Sequence, residues 1–590
     1  MRRLLLALSL IGAALVAALP STAAATPQKT FFYIPAADGT LLRACAIAEP
    51  GALTDTKHSH PVILEWTSYA IDADFGGYFP SGCPPQFAVL ASKAAEQGYV
   101  YVAANTRGTG ASGGDFQDVW DRADALDGAH VVEWLAAQLW SNGKVGVVGC
   151  SNSGAFANGL AAVAPKHLRA VLTDCSPLDP YRDTFYPGGL ASYSLLFTSS
   201  RPVASQITPQ AAQEWVARGD TSPGLRAVKS TQGQADIATH QSYDSFWASR
   251  DLTASAPFRV PTYYLGSWQD YMLRGTTEYA RIMGKRDRVL ITPGEHGSGY
   301  SQLTGTYSFT ERALGWMGHW LRGLPDPYAS EPRILYYELD GGISPVPTGQ
   351  SPAVAIDPTR MRGAAQWPLA AATYQRWYFT PTASGTSHSF NDLGLSPARP
   401  AAEATARWAY PGASTASFDE PRQPGGDQTP SIGTDNGDAA TFTSPALTAP
   451  MHVAGPVTVS FDTQSTATET DFVVRLLDVA PDGTARNVTE GWLKSSFRAL
   501  DATRTLYDAD RDIIRPFHDH TTARPLTPLA TEHYEVELLS TANEFPAGHR
   551  LRVVVTSTAA PWSLQTTAPA VNTLLLGGAH LSGVLLPVVR

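Results

Sequence analysis

The chain has 590 residues, 43% of them hydrophobic and only 16% charged, with 14 Trp, 23 Tyr and 21 Phe. That composition excludes a largely disordered or coiled-coil protein, and the length allows about four domains, or fewer large ones. The 43 Lys plus Arg against 53 Asp plus Glu give a formal charge of -10, which argues against nucleic acid as the main partner.

The one long apolar run is N-terminal: Arg2 and Arg3, then Leu4 to Leu19, Pro20 and Ala23-Ala24-Ala25. A basic start, a short apolar core and an A-x-A exit predict a signal peptide over residues 1–25; a membrane anchor would want about 20 apolar residues. The mature chain would then carry 41 Lys plus Arg against 53 acidic residues, or -12. It is expected outside the cytoplasm, secreted or periplasmic, without stable membrane insertion.

Pro61–Leu64 and Tyr99–Ala103 are predicted as buried strands, with a helix over Phe87–Gln97 closed by Gly98. A second helix spans Ala125–Gln138. A strand at Lys144–Val148, a small-residue helix from Gly154 and a strand at Leu168–Leu172 follow. From Asp179 to Ala256 the rhythm breaks into aromatic and polar residues, read as a helical cap. Strands return at Thr262–Leu265 and Arg288–Ile291, with helices at Gly275–Met283 and Thr310–Leu321. This alternation implies a mostly parallel sheet covered on both faces, with ligands at the strands' carboxyl ends. After about Pro332 come period-two segments such as Val457–Phe461, Phe472–Leu477, Tyr534–Leu538 and Arg550–Val555, the pattern of a β-sandwich.

The strongest chemical signal is Gly149-Cys150-Ser151-Asn152-Ser153-Gly154 between a Val-rich strand and a small-residue helix. A nucleophile on such a turn needs small neighbours, and the N–H of Asn152 points where an oxyanion forms. The spacing is G-x-S-x-x-G rather than G-x-S-x-G, with small Ser153 at the point of closest approach. Asp270 follows the strand at Thr262–Leu265, and His296 follows the strand ending at Ile291. The order Ser151, Asp270, His296 is that of an α/β-hydrolase triad.

Cys45, Cys83, Cys150 and Cys175 allow three complete pairings. Because Cys150 abuts Ser151 and Cys175 ends the neighbouring predicted strand, Cys150–Cys175 is sterically feasible, which leaves Cys45–Cys83. No Cys/His cluster has zinc spacing. His58 with His60, and His518 with His520, are read as solvated loop histidines, so neither metal nor cofactor is expected. Gly108-Thr-Gly110-Ala-Ser-Gly113 matches a dinucleotide fingerprint, but Asp115, Asp118, Asp121 and Asp124 follow it and would repel phosphate.

These segments, with Leu64–Tyr69, Asn105–Phe116, Glu133–Gly146, Met317–Gly323 and Leu476–Gly483, make the chain resemble the Xaa-Pro dipeptidyl-peptidase and cocaine esterase superfamily. That superfamily includes cephalosporin acylases and α-amino-acid ester hydrolases. The resemblance implies an α/β-hydrolase domain over 26–178 and 257–332, a helical cap over 179–256 and a C-terminal jelly roll over 333–590. It also implies that Tyr69 supplies a side-chain oxyanion donor beside the Asn152 N–H.

The expected protein is a secreted serine hydrolase cleaving acyl esters or amides of small molecules or peptides, as an esterase, acylase or Xaa-Pro dipeptidyl-peptidase-like enzyme. A rival expectation is a catalytically silent carbohydrate- or surface-binding protein that uses the jelly roll. Trp66, Trp268, Met272 and Leu273 are read as substrate contacts. In α-amino-acid ester hydrolases two carboxylates follow the triad acid by two and three places and bind the substrate ammonium. Met272 and Leu273 stand there instead, leaving Asp183 as the candidate anchor.

Overall fold

Val- and Ala-rich strands that cannot face water on either side dictate the first layer. β3 (His60–Thr67) and β4 (Val100–Asn105) are buried almost throughout and pair in parallel, Leu64 beside Val102. β5 (Ser141–Cys150), β6 (Leu168–Asp174), β7 (Thr262–Gln269) and β8 (Arg288–Glu295) continue the parallel run. β1 (Gln28–Pro35) and β2 (Leu41–Ala48) close one edge antiparallel, giving the order β1-β2-β4-β3-β5-β6-β7-β8, extended by Ile334–Tyr337 and Met361–Ala364. The division expected at residue 332 is therefore corrected: two strands from beyond it complete this sheet. The computed structural model describes residues 26–71, 83, 86–116, 120–192, 209–219, 236–343, 354–387, 389–410, 412, 438–557 and 568–590. The expected signal peptide lies outside them.

Helices cover both faces. α1 (Ala88–Glu96) ends at Gln97 and Gly98, the latter at φ 79°. α2 (Arg122–Ala136) starts where the Asp121 side chain accepts the Asp124 N–H, a cap worth about 1 kcal/mol. α3 (Asn152–Val163) carries the small residues that let it lie close to β5 and β6. The Phe309–Arg322 helix begins on Ser308 and ends on Gly323 at φ 72°. Among the described residues no helix is long and apolar enough to cross a membrane.

In the insertion, helical pieces at Tyr181–Phe185 and Ser245–Ala248 contribute to a cluster of Phe116, Tyr181, Phe185, Tyr186, Ile237 and Trp247, whereas Pro209–Ala217 reaches Tyr33 of β1 and Arg43 of β2 through Glu214. The C-terminal part is a second, twelve-stranded sheet. Its Met451–Ser465 strand pairs both with Glu532–Phe545 and with Gly583–Val589, so the sheet closes on itself around Phe461, Phe472, Tyr534 and their neighbours. Both disulfides expected from the sequence are present, Cys45–Cys83 and Cys150–Cys175.

Where hydrolase domain, insertion and second sheet meet, charges are buried in pairs. Arg274 gives Nη1 to Asp183 at 2.9 Å and Nε to Glu537 at 3.2 Å. Arg515 reaches Glu537 at 2.8 Å and Glu278 at 2.5 Å, and Arg182 holds Asp179 at 2.6 Å. Gly188 seals the same seam, because at φ 59° a Cβ would sit 1.9 Å from the Trp492 carbonyl oxygen. Gly188→Ala therefore combines a left-handed backbone penalty with a backbone clash, roughly 2 kcal/mol or more together. Scanning calorimetry should show a melting temperature lower by about 2 °C or more; an unchanged value would mean the two surfaces do not touch there.

Candidate active site

Crowding at the β5–α3 turn places Ser151. Its φ of 58° and ψ of −122° are strained for an L-residue, and its N–H is held by the carbonyls of Asp174 and Cys175, both at 3.2 Å. A Cβ on Gly149 would lie 2.2 Å from the Ser153 carbonyl oxygen, so only glycine allows the helix to start this near the strand. Ser153 takes the place of the usual second glycine. Fully buried, its hydroxyl accepts the Cys150 N–H at 3.1 Å and pairs with the Gln86 side chain, tightening the turn instead of crowding it.

Tyr69 arrives just past the end of β3. Asn105 Nδ2 donates to the carbonyls of Thr67 at 3.2 Å and Tyr69 at 2.7 Å, fixing the backbone there. The phenol shares a hydrogen bond with the Ser151 side chain and another with the Asn152 N–H. Burial raises the Tyr69 pKa, and those two bonds offset it only in part, so the phenol keeps its proton. Asn152 is fixed in turn, its amide donating to Ser68 Oγ at 2.6 Å and accepting Trp120 Nε1–H at 2.8 Å.

Asp270 and His296 follow the last residues of adjacent strands β7 and β8. Asp270 Oδ1 lies 2.9 Å from His296 Nδ1 and also accepts the Met272 N–H at 2.7 Å. The Cys175 sulfur lies within 4.8 Å of both groups, and the Cys175 carbonyl holds Ser151, so the three residues gather at one end of the sheet. Tyr271 stacks on the His296 ring at 4.6 Å. Burial works against the imidazolium, but the charge and hydrogen bond of Asp270, with Asp174 and Glu295 behind, outweigh it and raise the His296 pKa.

Asp174 is the residue that sequence reasoning missed. It ends β6 beside the Cys150–Cys175 bridge, 1% exposed, and its Oδ2 has no hydrogen-bond partner among the described residues. Burial, then the charge of Asp270, push its carboxyl up to about 7 while His296 pulls it down. A lone aspartate at a strand end carries no motif, so nothing local marks it.

Several expected contacts lie elsewhere. Trp66 is fully buried, its Nε1 donating to the Asp124 carbonyl under α2, and Trp268 donates to the Tyr337 carbonyl and packs on Trp367. Leu273 belongs to the same core, and Met272 is 3% exposed. These four are wall and core rather than open substrate contacts. Asp183 is locked, accepting two backbone N–H groups besides Arg274, and cannot be an ammonium anchor. His518 and His520, expected in solvent, are 5% and 3% exposed because the second sheet buries them against the insertion.

Among the described residues, the groups with metal-like spacing do not fit an ion. Two include disulfide sulfurs, and in Glu338/His452/Glu544 both glutamates are paired with arginines.

A strained serine on a strand-to-helix turn, with an Asp–His pair on the next strand ends, defines an α/β-hydrolase. Residues 38–298 match the X-Pro dipeptidyl-peptidase (S15 family), and residues 328–582 match the X-Pro dipeptidyl-peptidase C-terminal non-catalytic domain. The chain is 27% identical over 554 residues to a candidate serine esterase of Mycobacterium bovis, 84% of each being covered. It is 25% identical over 557 residues to the cocaine esterase of Rhodococcus sp., covering 84% of this chain and 88% of that one. A crystal structure of an aminopeptidase from a marine sediment Thaumarchaeota archaeon superposes with TM-score 0.72 at 18% identity, over 98% and 99% of the two chains. The protein belongs to the X-Pro dipeptidyl-peptidase and cocaine esterase family and is a serine hydrolase.

The raised His296 pKa sets a direction for the pH profile. Use of His296 as a general base would require the neutral ring, so kcat/KM should then fall as pH drops through a midpoint above the ordinary histidine value. Asp174→Asn removes one of the charges that hold the imidazolium, and should move that midpoint down. An initial-rate pH series on both proteins checks this; an unmoved midpoint would mean Asp174 does not act on His296.

Proposed function

We propose that Ser151, His296 and Asp270 form the triad of an enzyme that cleaves acyl ester or amide bonds through an acyl-enzyme intermediate. The observation that carries this reading is the Asp270–His296 bond at the same sheet end as the strained Ser151 turn. His296 takes the Ser151 proton as Oγ attacks the acyl carbon, then returns it to the leaving oxygen or nitrogen. Asp270 keeps the proton on Nδ1 and stabilises the cation. Water enters by the same route in reverse and releases the acid. Tyr69 and the Asn152 N–H stabilise the tetrahedral oxygen, a role supported by the hydrogen bonds that bring the phenol to both Ser151 and Asn152.

The acyl group is uncharged at its α position. Apolar Met272 and Leu273 follow the acid, and Asp183 is engaged by Arg274, so among the described residues these positions supply no free carboxylate to offset an ammonium. The leader-like residues 1–25 and the pairing of all four cysteines support action outside the cytoplasm, where disulfides persist.

Two variants test the mechanism. A fluorophosphonate probe should label Ser151 alone, and Ser151→Ala should lose both labelling and turnover while remaining folded by circular dichroism; labelling that survives in the variant removes Ser151 from the mechanism. Tyr69→Phe keeps the ring and deletes the donor, so kcat should fall about 10²–10³-fold with little change in KM. Turnover near the parent's value would move the oxyanion site away from Tyr69.

A further inference from the structure

A cavity beside Tyr271 is lined by Arg274, Arg182, Trp492, His520 and Glu537 among others. Tyr271 is its link to the reaction centre, because the same ring stacks on His296. Its walls come from the hydrolase domain, the insertion and the second sheet.

The donors facing it are not all used. Arg182 spends Nη1 on Asp179, and Nε and Nη2 on the carbonyls of His518 and Asp519. Arg274 spends Nε on Glu537 and Nη1 on Asp183, and its Nη2 makes no hydrogen bond among the described residues. Among the described residues neither ring nitrogen of His520 has a partner of normal geometry, although the ring is 3% exposed and the Gly188 carbonyl lies nearby. Burial, then the charges of Arg182, His518 and Arg274, hold His520 well below the ordinary histidine range. It is therefore neutral, with one N–H to give. A guanidinium edge and a buried imidazole left unpaired in one cavity are costly unless something accepts from them.

Charge decides what that something is. Around the cavity Arg182, Arg274, Arg281 and Arg515 are matched by Asp179, Asp183, Glu278 and Glu537. The network is already neutral, so an anion or a cation would enter unpaired, whereas a dipolar oxygen would not. We infer that this cavity is an acyl subsite that binds an uncharged oxygen acceptor, a ketone or amide carbonyl on the acyl chain, through Arg274 Nη2 and an N–H of His520. The inference rests on the proposed role of His296 as base to Ser151, since Tyr271, which stacks on His296, is the wall the cavity shares with that site.

Matched 4-nitrophenyl esters test it with the full-length protein. The pairs 4-oxopentanoate against pentanoate and 5-oxohexanoate against hexanoate place a carbonyl where the reference has a methylene. At least one oxo ester should exceed its partner in kcat/KM by about tenfold or more, as expected for a bond to a charged donor. His520→Phe should cut that ratio severalfold, and so should Arg274→Lys, which keeps the charge but loses the planar fork. Because each ratio is read within one preparation, it does not depend on how much of a variant folds.

Ratios of one or below, or equal ratios in parent and variants, overturn the subsite. So does a faster hemisuccinate ester, which would mean the cavity takes a charge. Ser151 labelling by fluorophosphonate is run alongside. Labelling without the oxo preference sinks the subsite and spares the triad, whereas absent labelling sinks the triad itself and the subsite with it.

Discussion

Arg182, Arg274 and Arg515, withdrawn from water with Asp179, Asp183, Glu278 and Glu537, fix how the parts of this molecule meet, and exposed Arg281 balances the charge of Glu278 at the edge. Each pair alone would be a poor source of stability, because desolvation consumes most of the Coulombic gain. As a network they define one relative placement of hydrolase domain, insertion and second sheet, since any shift strands a buried charge. Arg274 leaves the first turn of the Leu273–Ile282 helix, just after Asp270, so the same contact that joins the parts also steadies the segment bearing the acid.

At the nucleophile the governing constraint is steric. β5 and α3 approach so closely that Gly149 tolerates no side chain, and Ser151 is held in a conformation that its sequence neighbours alone would not maintain. Two carbonyls at the end of β6 and the Cys150–Cys175 bridge hold it from the side. The strain is thus opposed by covalent and hydrogen-bonded supports that also position Asp174.

The sequence displayed the parallel sheet well, because strands buried on both faces read as continuous runs of Val, Ile and Ala. The order Ser151, Asp270, His296 and the glycine-rich turn were equally legible, each being local in the chain. The limits have the same physical origin. When both faces of a strand are covered, alternation disappears, so nothing distinguishes Trp66 facing α2 from a residue facing the site. β1 lies on the sheet edge, largely exposed, and gives no core signal. Ile334–Tyr337 has the composition of a sandwich strand and joins the first sheet only through a partner, β8, more than 40 residues earlier. His518 and His520 sit among polar residues and are buried solely by segments distant in sequence. Long-range burial and pairing leave no local mark.

Arg182 donates to the carbonyl of His518, 336 positions further along the chain. The wall beside the reaction centre is therefore a joint property of segments that recombination would inherit separately. A C-terminal domain exchanged between relatives would carry a foreign lining into the cleft and leave Arg182 and Arg274 facing mismatched partners. Any exchange across this seam would therefore have to bring both sides together for Arg182 and Arg274 to keep their partners.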